Sequence, residues 1–287
     1  MSEGTILHHG LAALYIATQN GYPQAESLAS AMVSMEAMAD RRTYEYHGEQ
    51  QDLAPDACSS ETLDRLKSVL TYYAEHSFER TMEGKRVLAV EEAWTFELDG
   101  AELIGGFVMD GTFDLVLEHI NKPIIEVHDF KTVSLVSTAV KFLGLNQQML
   151  WYEVLANQAF ANKQVEMVYN LIRRDVPPGY GYRPRTTKSG KPSSASQNVE
   201  DYLHEHRFAH STHELAAIRS NLMLTVAQAQ LLLAGGSAAY PPTAQRRPIK
   251  TGGEACHTSC AYFSRCCAEL IGHTEPTFVP MAVADED

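Results

Sequence analysis

Hydrophobic positions change period several times along the 287-residue chain. Between Thr62 and Tyr73 the apolar residues Leu63, Leu66, Val69, Leu70 and Tyr73 recur at helical spacing, which predicts a helix from about Ser60 to His76. Three extended runs follow, Arg86 to Leu98, Leu103 to Leu117 and Ile124 to Lys131, with turn signals at Asp99-Gly100 and Asn121-Lys122-Pro123. Past Ser137 the period returns to helical through Val140, Leu143, Gln147, Leu150 and Leu155. Val165, Met167, Tyr169 and Leu171 then alternate as a strand. Residues 175–200 are rich in Pro, Gly and Ser and have no apolar period, so they read as a long loop. A last helix is predicted from about Tyr202 to Leu233, and the tail 272–287 reads as disordered.

This order predicts an α/β chain: a helical N-terminal part (1–85), a core of strands and helix (86–174), the loop (175–200), and a C-terminal helix with a cysteine cluster (201–271). A hydrophobic content of 45% supports a packed core. No run of eighteen apolar residues occurs, and MSEGTILHHG lacks the basic start and apolar middle of a signal peptide, so the default expectation is a cytoplasmic protein without a membrane partner. The formal charge of −13 argues against a basic coat over the whole surface. Locally the balance reverses. Between Arg173 and Lys191 stand Arg173, Arg174, Arg183, Arg185, Lys188 and Lys191 against Asp175 alone, with Tyr180 and Tyr182 available for stacking on unpaired bases. Arg183, Arg185, Lys188 and Lys191 are therefore candidate DNA contacts.

Two carboxylates interrupt the apolar strands. A two-residue turn at Asn121-Lys122 pairs positions whose numbers add to 243, which sets Asp114 opposite Asp129. Like charges face to face are unfavourable unless a cation lies between them, and paired carboxylates with water suit Mg²⁺ or Mn²⁺. Lys131 lies two residues beyond Asp129 and so projects from the same strand face. A carboxylate-held divalent ion beside a lysine that orients water and offsets negative charge is an arrangement suited to phosphodiester cleavage. Glu91, Glu92 and Glu126 are further acidic candidates, with Glu126 on the strand face opposite Asp129.

The joint spacing Gly111-x-x-Asp114, Asp129-x-Lys131-Thr132 and Gln148-x-x-x-Tyr152 resembles the PD-(D/E)XK nuclease superfamily, in its RecB-type branch with CRISPR-associated and phage exonucleases. GTILHHGLAALY, from Gly4 to Tyr15, resembles that branch's early Gly-Thr-x-x-His helix. The resemblance implies a restriction-endonuclease-like α-β-β-β-α-β core. It implies Asp114 and Asp129 as metal ligands with His8 as a further one, Lys131 acting on the attacking water, and Gln148 and Tyr152 contacting DNA or positioning Lys131. His9 is the alternative to His8 if the helix is rotated. The implied activity is a Mg²⁺- or Mn²⁺-dependent exonuclease on single-stranded DNA or DNA ends, with a helicase or recombination partner to supply a motor that the chain, lacking a P-loop motif, does not carry. The alternative is a non-catalytic DNA- or partner-binding module with a structural metal site.

Four of the five cysteines crowd between Cys256 and Cys267, which fits a metal or cluster site in a reducing compartment better than a disulfide framework. Soft thiolates suit an iron–sulfur cluster or zinc. Cys256, Cys260 and Cys266 resemble the three-cysteine run of the family's iron–sulfur members, after Tyr240-Pro241, and imply a [4Fe–4S] cluster or, alternatively, Zn²⁺. Three residues rather than two separate Cys256 from Cys260, and the family's cysteine ahead of the Gly-Thr-x-x-His helix has no counterpart before Gly4. Cys58, Cys267 or His257 would complete the set. His206, His210 and His213 also stand at helical spacing, where a solvated helix face is the simpler expectation.

Overall fold

The computed structural model describes residues 3–40, 43–46, 49–52, 58–97, 108–141, 143, 147–177, 180 and 198–235. The chain divides into two compact units, one of Met1–Trp94, Thr112–Ala139 and Asn162–Phe208, the other of Thr95–Gly111, Val140–Ala161 and Ala209–Asp287.

The first unit begins with helix α1 (Glu3–Gln19), which carries the His8 motif. It ends where Gly21, at φ +85, allows the chain to reverse: Gly21 N–H donates to Thr18 O and Tyr22 N–H to Ala17 O, so two terminal carbonyls are satisfied. Helix α2 (Gln24–Ala39) buries only Ser27, Ala31 and Met35, a narrow stripe at four-residue spacing. A two-stranded antiparallel hairpin, β1 (Thr43–Tyr46) with β2 (Glu49–Asp52), lies within the part of the chain expected to be helical, 1–85. Helix α3 (Ser60–Tyr73) is capped by Ser59, whose hydroxyl accepts from Thr62 N–H at 3.1 Å. The helical path runs past the expected end at His76, through a π-turn at Ala74–Phe78 into α4 (Glu79–Met82).

Strands β3 (Lys85–Glu97), β4 (Val108–His119) and β5 (Ile124–Val133) follow. Helices α5 (Val136–Val140) and α6 (Gln147–Ala159) stand where the apolar period predicts one helix. Strand β6 (Gln164–Arg173) completes the expected alternation.

The expected helix from Tyr202 is corrected. Leu203–Phe208 is a strand, β7, and only from Thr212 does helix α7 (Thr212–Gly235) begin. Ser211 and Glu214 cap each other across the first turn, Glu214 N–H donating to Ser211 Oγ at 3.3 Å and Ser211 N–H to Glu214 Oε2 at 2.8 Å. That reciprocal cap fixes the helix start ten residues later than the apolar count alone suggests. His206, His210 and His213 consequently share no helix face: the first lies on β7, the second precedes α7 and the third is on it.

The result is an α/β chain with a five-stranded mixed sheet in the order β3-β4-β5-β6-β7. β4 and β5 are antiparallel, β5 and β6 parallel, β6 and β7 antiparallel. β5 is buried without interruption from Ile125 to Phe130, as a central strand covered on both faces should be. Phe130 packs on Tyr15 of α1 and Tyr73 of α3, and those two tyrosines share a 2.7 Å hydrogen bond between hydroxyls.

Glu126, also on β5, is 1% exposed and tied to four strands. It accepts from Lys85 Nζ at 2.8 Å and Arg207 Nη1 at 2.6 Å, and pairs with His119 Nε2 at 2.7 Å and His128 Nε2 at 3.1 Å. Burial alone would raise its carboxyl, but the hydrogen bonds from His128, Arg207 and Lys85 hold it far below the usual range. Glu126 is thereby committed to the sheet. No helix among the described residues is long and apolar enough to cross a membrane.

Candidate metal centre

The β4–β5 register is the one the turn predicts: Leu115 faces His128, Val116 faces Val127 and Leu117 faces Glu126, the numbers in each pair adding to 243. One step further along the same register, Asp114 and Asp129 come together. Asp114 Oδ2 accepts the Phe130 N–H at 2.7 Å, which pins that carboxylate to the β5 backbone. Helix α1 lays His8 against the same spot, its Nδ1 3.7 Å from Asp114 Oδ2.

Asp129 is the buried member, with its side chain only 2% exposed. Its Oδ1 accepts from Lys131 Nζ at 2.9 Å, so the two do project from one strand face. Its Oδ2 is buried with no hydrogen-bond partner among the described residues. Such an orphaned anionic oxygen is strongly unfavourable in the absence of a counter-charge. Burial accordingly pushes the Asp129 carboxyl up to about 7; Lys131 pulls it back down and Asp114 adds to the rise.

A third acid joins them. Glu91 of β3 offers a carboxylate oxygen that lies, with one oxygen of Asp114 and a ring nitrogen of His8, in a group whose atoms are all within 4.8 Å of one another. Although Glu91 reaches the surface, loss of solvation in the cleft lifts its carboxyl to about 7, with repulsion from Asp114 and then Asp129 adding and Lys131 opposing. His8 is shifted the other way: burial disfavours its charged form, Asp114 counters, and Lys131 adds to the lowering, so the ring is held as neutral imidazole, the form that ligates metals.

A cavity of about 550 Å³ opens beside these groups, lined by Thr5, His8, His9, Glu91, Lys131 and Thr132 among others. Its wall pairs one cationic side chain, Lys131, and two hydroxyls with the carboxylate of Glu91, the polarity that a phosphate ester needs beside a cation.

The structure therefore brings together four of the residues expected from sequence, His8, Asp114, Asp129 and Lys131, and adds Glu91, which the sequence offers only as one acid among several. His8, not His9, belongs to the ligand-forming group. Gln148 and Tyr152 lie on α6 in the second unit, one turn apart, with Gln148 Nε2 donating to Tyr152 Oη at 2.9 Å. Glu126 faces away into its own ion-pair knot.

Tyr180, expected to be available for base stacking, instead stands edge-on to Tyr72 with its hydroxyl 2.7 Å from His76 Nε2, so it is engaged with the α3 end of the fold. Arg183, Arg185, Lys188, Lys191 and Tyr182 lie outside the described residues, as do Cys256, Cys260, Cys266 and Cys267 and the tail 272–287. Cys58 sits just before α3, its thiol raised by burial and then by the nearby Glu3, with Arg65 opposing.

Neither the protein-family models nor the curated proteins compared with the chain give a significant match.

Proposed function

We propose that the chain is a Mg²⁺- or Mn²⁺-dependent DNA nuclease of the PD-(D/E)XK type, with a restriction-endonuclease-like core. The observation that carries the reading is the state of Asp129. Its carboxylate is sunk in the sheet, one oxygen on Lys131 and the other with no hydrogen-bond partner among the described residues, beside Asp114 and within the field of Glu91. A fold does not keep an arrangement so costly to a packed sheet unless something compensates it, and a divalent cation is the compensation that a carboxylate set with a neutral imidazole fits.

His8, Asp114 and Asp129 would hold the ion, which when bound supplies Lewis acidity and a water of lowered pKa for attack on phosphorus. Asp114 keeps its orientation through the Phe130 N–H. Lys131, only one-third exposed and held at Asp129, stands where its ammonium can orient the attacking water and offset charge building on the phosphate oxygens. Thr5, Thr132 and His9 lie along the adjoining cavity, within reach of a bound strand. The preference for single-stranded DNA or DNA ends over internal sequence-specific sites rests on the motif resemblance alone.

Incubation of the purified chain with end-labelled single- and double-stranded DNA, with and without Mn²⁺, tests the reading. Ion-dependent shortening of the labelled strand is expected, lost in Asp129→Asn. An Asp129→Asn chain that degrades DNA as fast as the parent would make any observed cleavage foreign to this site and leave a DNA- or partner-binding module.

A further inference from the structure

Glu91 has a backbone that nothing in a plain strand requires. β3 is extended on both sides of it, yet Glu91 itself sits at φ 48, the left-handed region that side chains other than glycine rarely enter. The strand slips by one residue there. Before Glu91 the less exposed positions are Lys85, Val87, Ala89 and Val90; after it they are Trp94 and Phe96, so the alternation runs on odd numbers to Ala89 and on even numbers from Val90. The slip turns a carboxylate toward the cleft that β4 and α1 share, where it comes within 4.8 Å of ligand atoms on His8 and Asp114.

Acids cluster on protein surfaces without binding anything, so proximity is not sufficient. The second observation is independent of Glu91: the buried Asp129 Oδ2 has no hydrogen-bond partner among the described residues, and its carboxylate is close enough to Glu91 to repel it. Three carboxylates and one neutral imidazole then converge beside the ammonium of Lys131, which is already engaged with Asp129 Oδ1. The anionic excess and the open oxygen both call for a cation.

We propose that Glu91 is a direct ligand of the divalent ion, completing a set of one imidazole nitrogen and three carboxylates with His8, Asp114 and Asp129. The inference rests on the metal-centre reading above and extends it to a residue on a different strand. Two of the carboxylates come from the β4–β5 pair, which the hairpin register alone brings together; Glu91 comes from β3 and needs the bulge to reach them. The bulge is thus the device that closes the set on its solvent side, and the left-handed backbone at Glu91 is tolerated because the bound ion stabilises the conformation.

Binding of Mn²⁺ to the full chain, measured by calorimetry and by the loss of free-Mn²⁺ paramagnetic resonance without DNA, tests this. Glu91→Gln should weaken binding at least tenfold and shrink the Mn²⁺-induced rise in unfolding temperature, while unfolding in chelator at or above the parent's temperature. Glu91→Gly, which suits the left-handed backbone and removes only the side chain, should lose affinity to the same degree, separating the carboxylate from the backbone. Asp129→Asn serves as the reference. If it weakens Mn²⁺ binding while both Glu91 variants stay within twofold of the parent, Glu91 is no ligand and the metal centre stands without it. If the parent binds no Mn²⁺ at millimolar concentration, the metal-centre reading and the role of Glu91 fall together.

Discussion

Asp129 places one carboxylate oxygen 2.9 Å from the Lys131 ammonium and buries the other with no hydrogen-bond partner among the described residues. The pair is electrostatically incomplete by itself. With its carboxyl raised to about 7 from an ordinary 3.8, folded protein holds a proton on Asp129 that unfolded protein releases, so the contribution of Asp129 to stability falls as pH rises from about 4 to 7 and is constant above. Asp129→Asn removes that contribution and leaves the smaller one of Glu91, whose carboxyl is also raised to about 7, mainly by loss of solvation. In chelator the variant should be more stable than the parent by about 2 kcal/mol at pH 8, with the difference vanishing near pH 4. Thermal unfolding across that range reads the effect directly, and a parent whose stability does not decline between pH 4 and 7 would show that Asp129 is compensated by something other than a cation.

Lys131→Ala should move stability in the opposite direction. It strips Asp129 Oδ1 of its partner and leaves both oxygens orphaned, which should destabilise the metal-free chain by about 1 kcal/mol, the lower end for a lost charged partner because Lys131 is one-third exposed. Cleavage should drop by about a hundredfold, the scale of one positioned charge-stabilising or proton-transferring group. Saturating Mn²⁺ should restore much of the stability and none of the rate. Equal loss of stability and rate, both recovered by Mn²⁺, would reduce Lys131 to a structural counter-ion.

How much of the site is legible in the sequence differs from residue to residue. The Asp114–Asp129 juxtaposition follows from a turn length and a period of two, both of which are local, and the observed register agrees. Lys131 follows from the same period. Glu91 does not stand out from its acidic neighbours, because a bulge breaks the period it would be read by and nothing in Val90-Glu91-Glu92 announces a left-handed residue. β7 is concealed for a different reason. Leu203–Phe208 holds four of its six positions as His204, Glu205, His206 and Arg207, polar residues that a strand at the sheet edge accommodates, and the spacing of His206 with His210 and His213 imitates a helix. The corrective signal is Ser211-Thr-His-Glu214, a reciprocal helix cap legible in sequence. α2 lies within the part expected to be helical, whereas the β1–β2 hairpin offers only four-residue strands and too little apolar alternation to declare itself.

Gly10 sets how closely α1 approaches α2. A Cβ there would sit 2.6 Å from Met35 Sδ and 2.7 Å from its Cγ, with Leu70 Cδ2 at 3.3 Å. Met35 is fully buried, so it can yield only by displacing its own neighbours. Gly10→Ala should cost about 2 kcal/mol despite the better helix propensity of alanine. Because His8 lies half a turn away, Mn²⁺ affinity should fall as well. Adding Met35→Ala to Gly10→Ala should recover part of the loss, although Met35→Ala alone is destabilising. Strict additivity in chemical denaturation would show that the two side chains do not compete for the same space.

In the second unit, Glu153 of α6 holds the entrance to α7. Its Oε1 accepts the His210 N–H at 2.6 Å and its Oε2 lies 2.5 Å from His210 Nδ1, in a site where Glu153 is fully buried. Burial alone would lower the imidazole, but the hydrogen bond and charge of Glu153 outweigh it and, with Glu214 helping, raise His210 above its ordinary 6.5. A raised histidine contributes stability in full below 6.5, and that contribution is lost as pH rises through the higher folded value. His210→Ala should therefore destabilise the chain by about 3 kcal/mol at pH 6, where it strands a buried carboxylate, and by clearly less at pH 9, where the parent has already lost the charged pair. Glu153→Gln should flatten the same pH dependence while keeping the backbone hydrogen bond through the amide oxygen. Hydrogen exchange of the first turns of α7 against pH locates the effect: protection there should fall with rising pH in the parent and stay level in Glu153→Gln. Equal pH profiles in the two chains would mean that the pair is neutral in the folded state and that α7 is held by the small apolar cluster of Leu150, Val154, Ile218 and Leu222 alone.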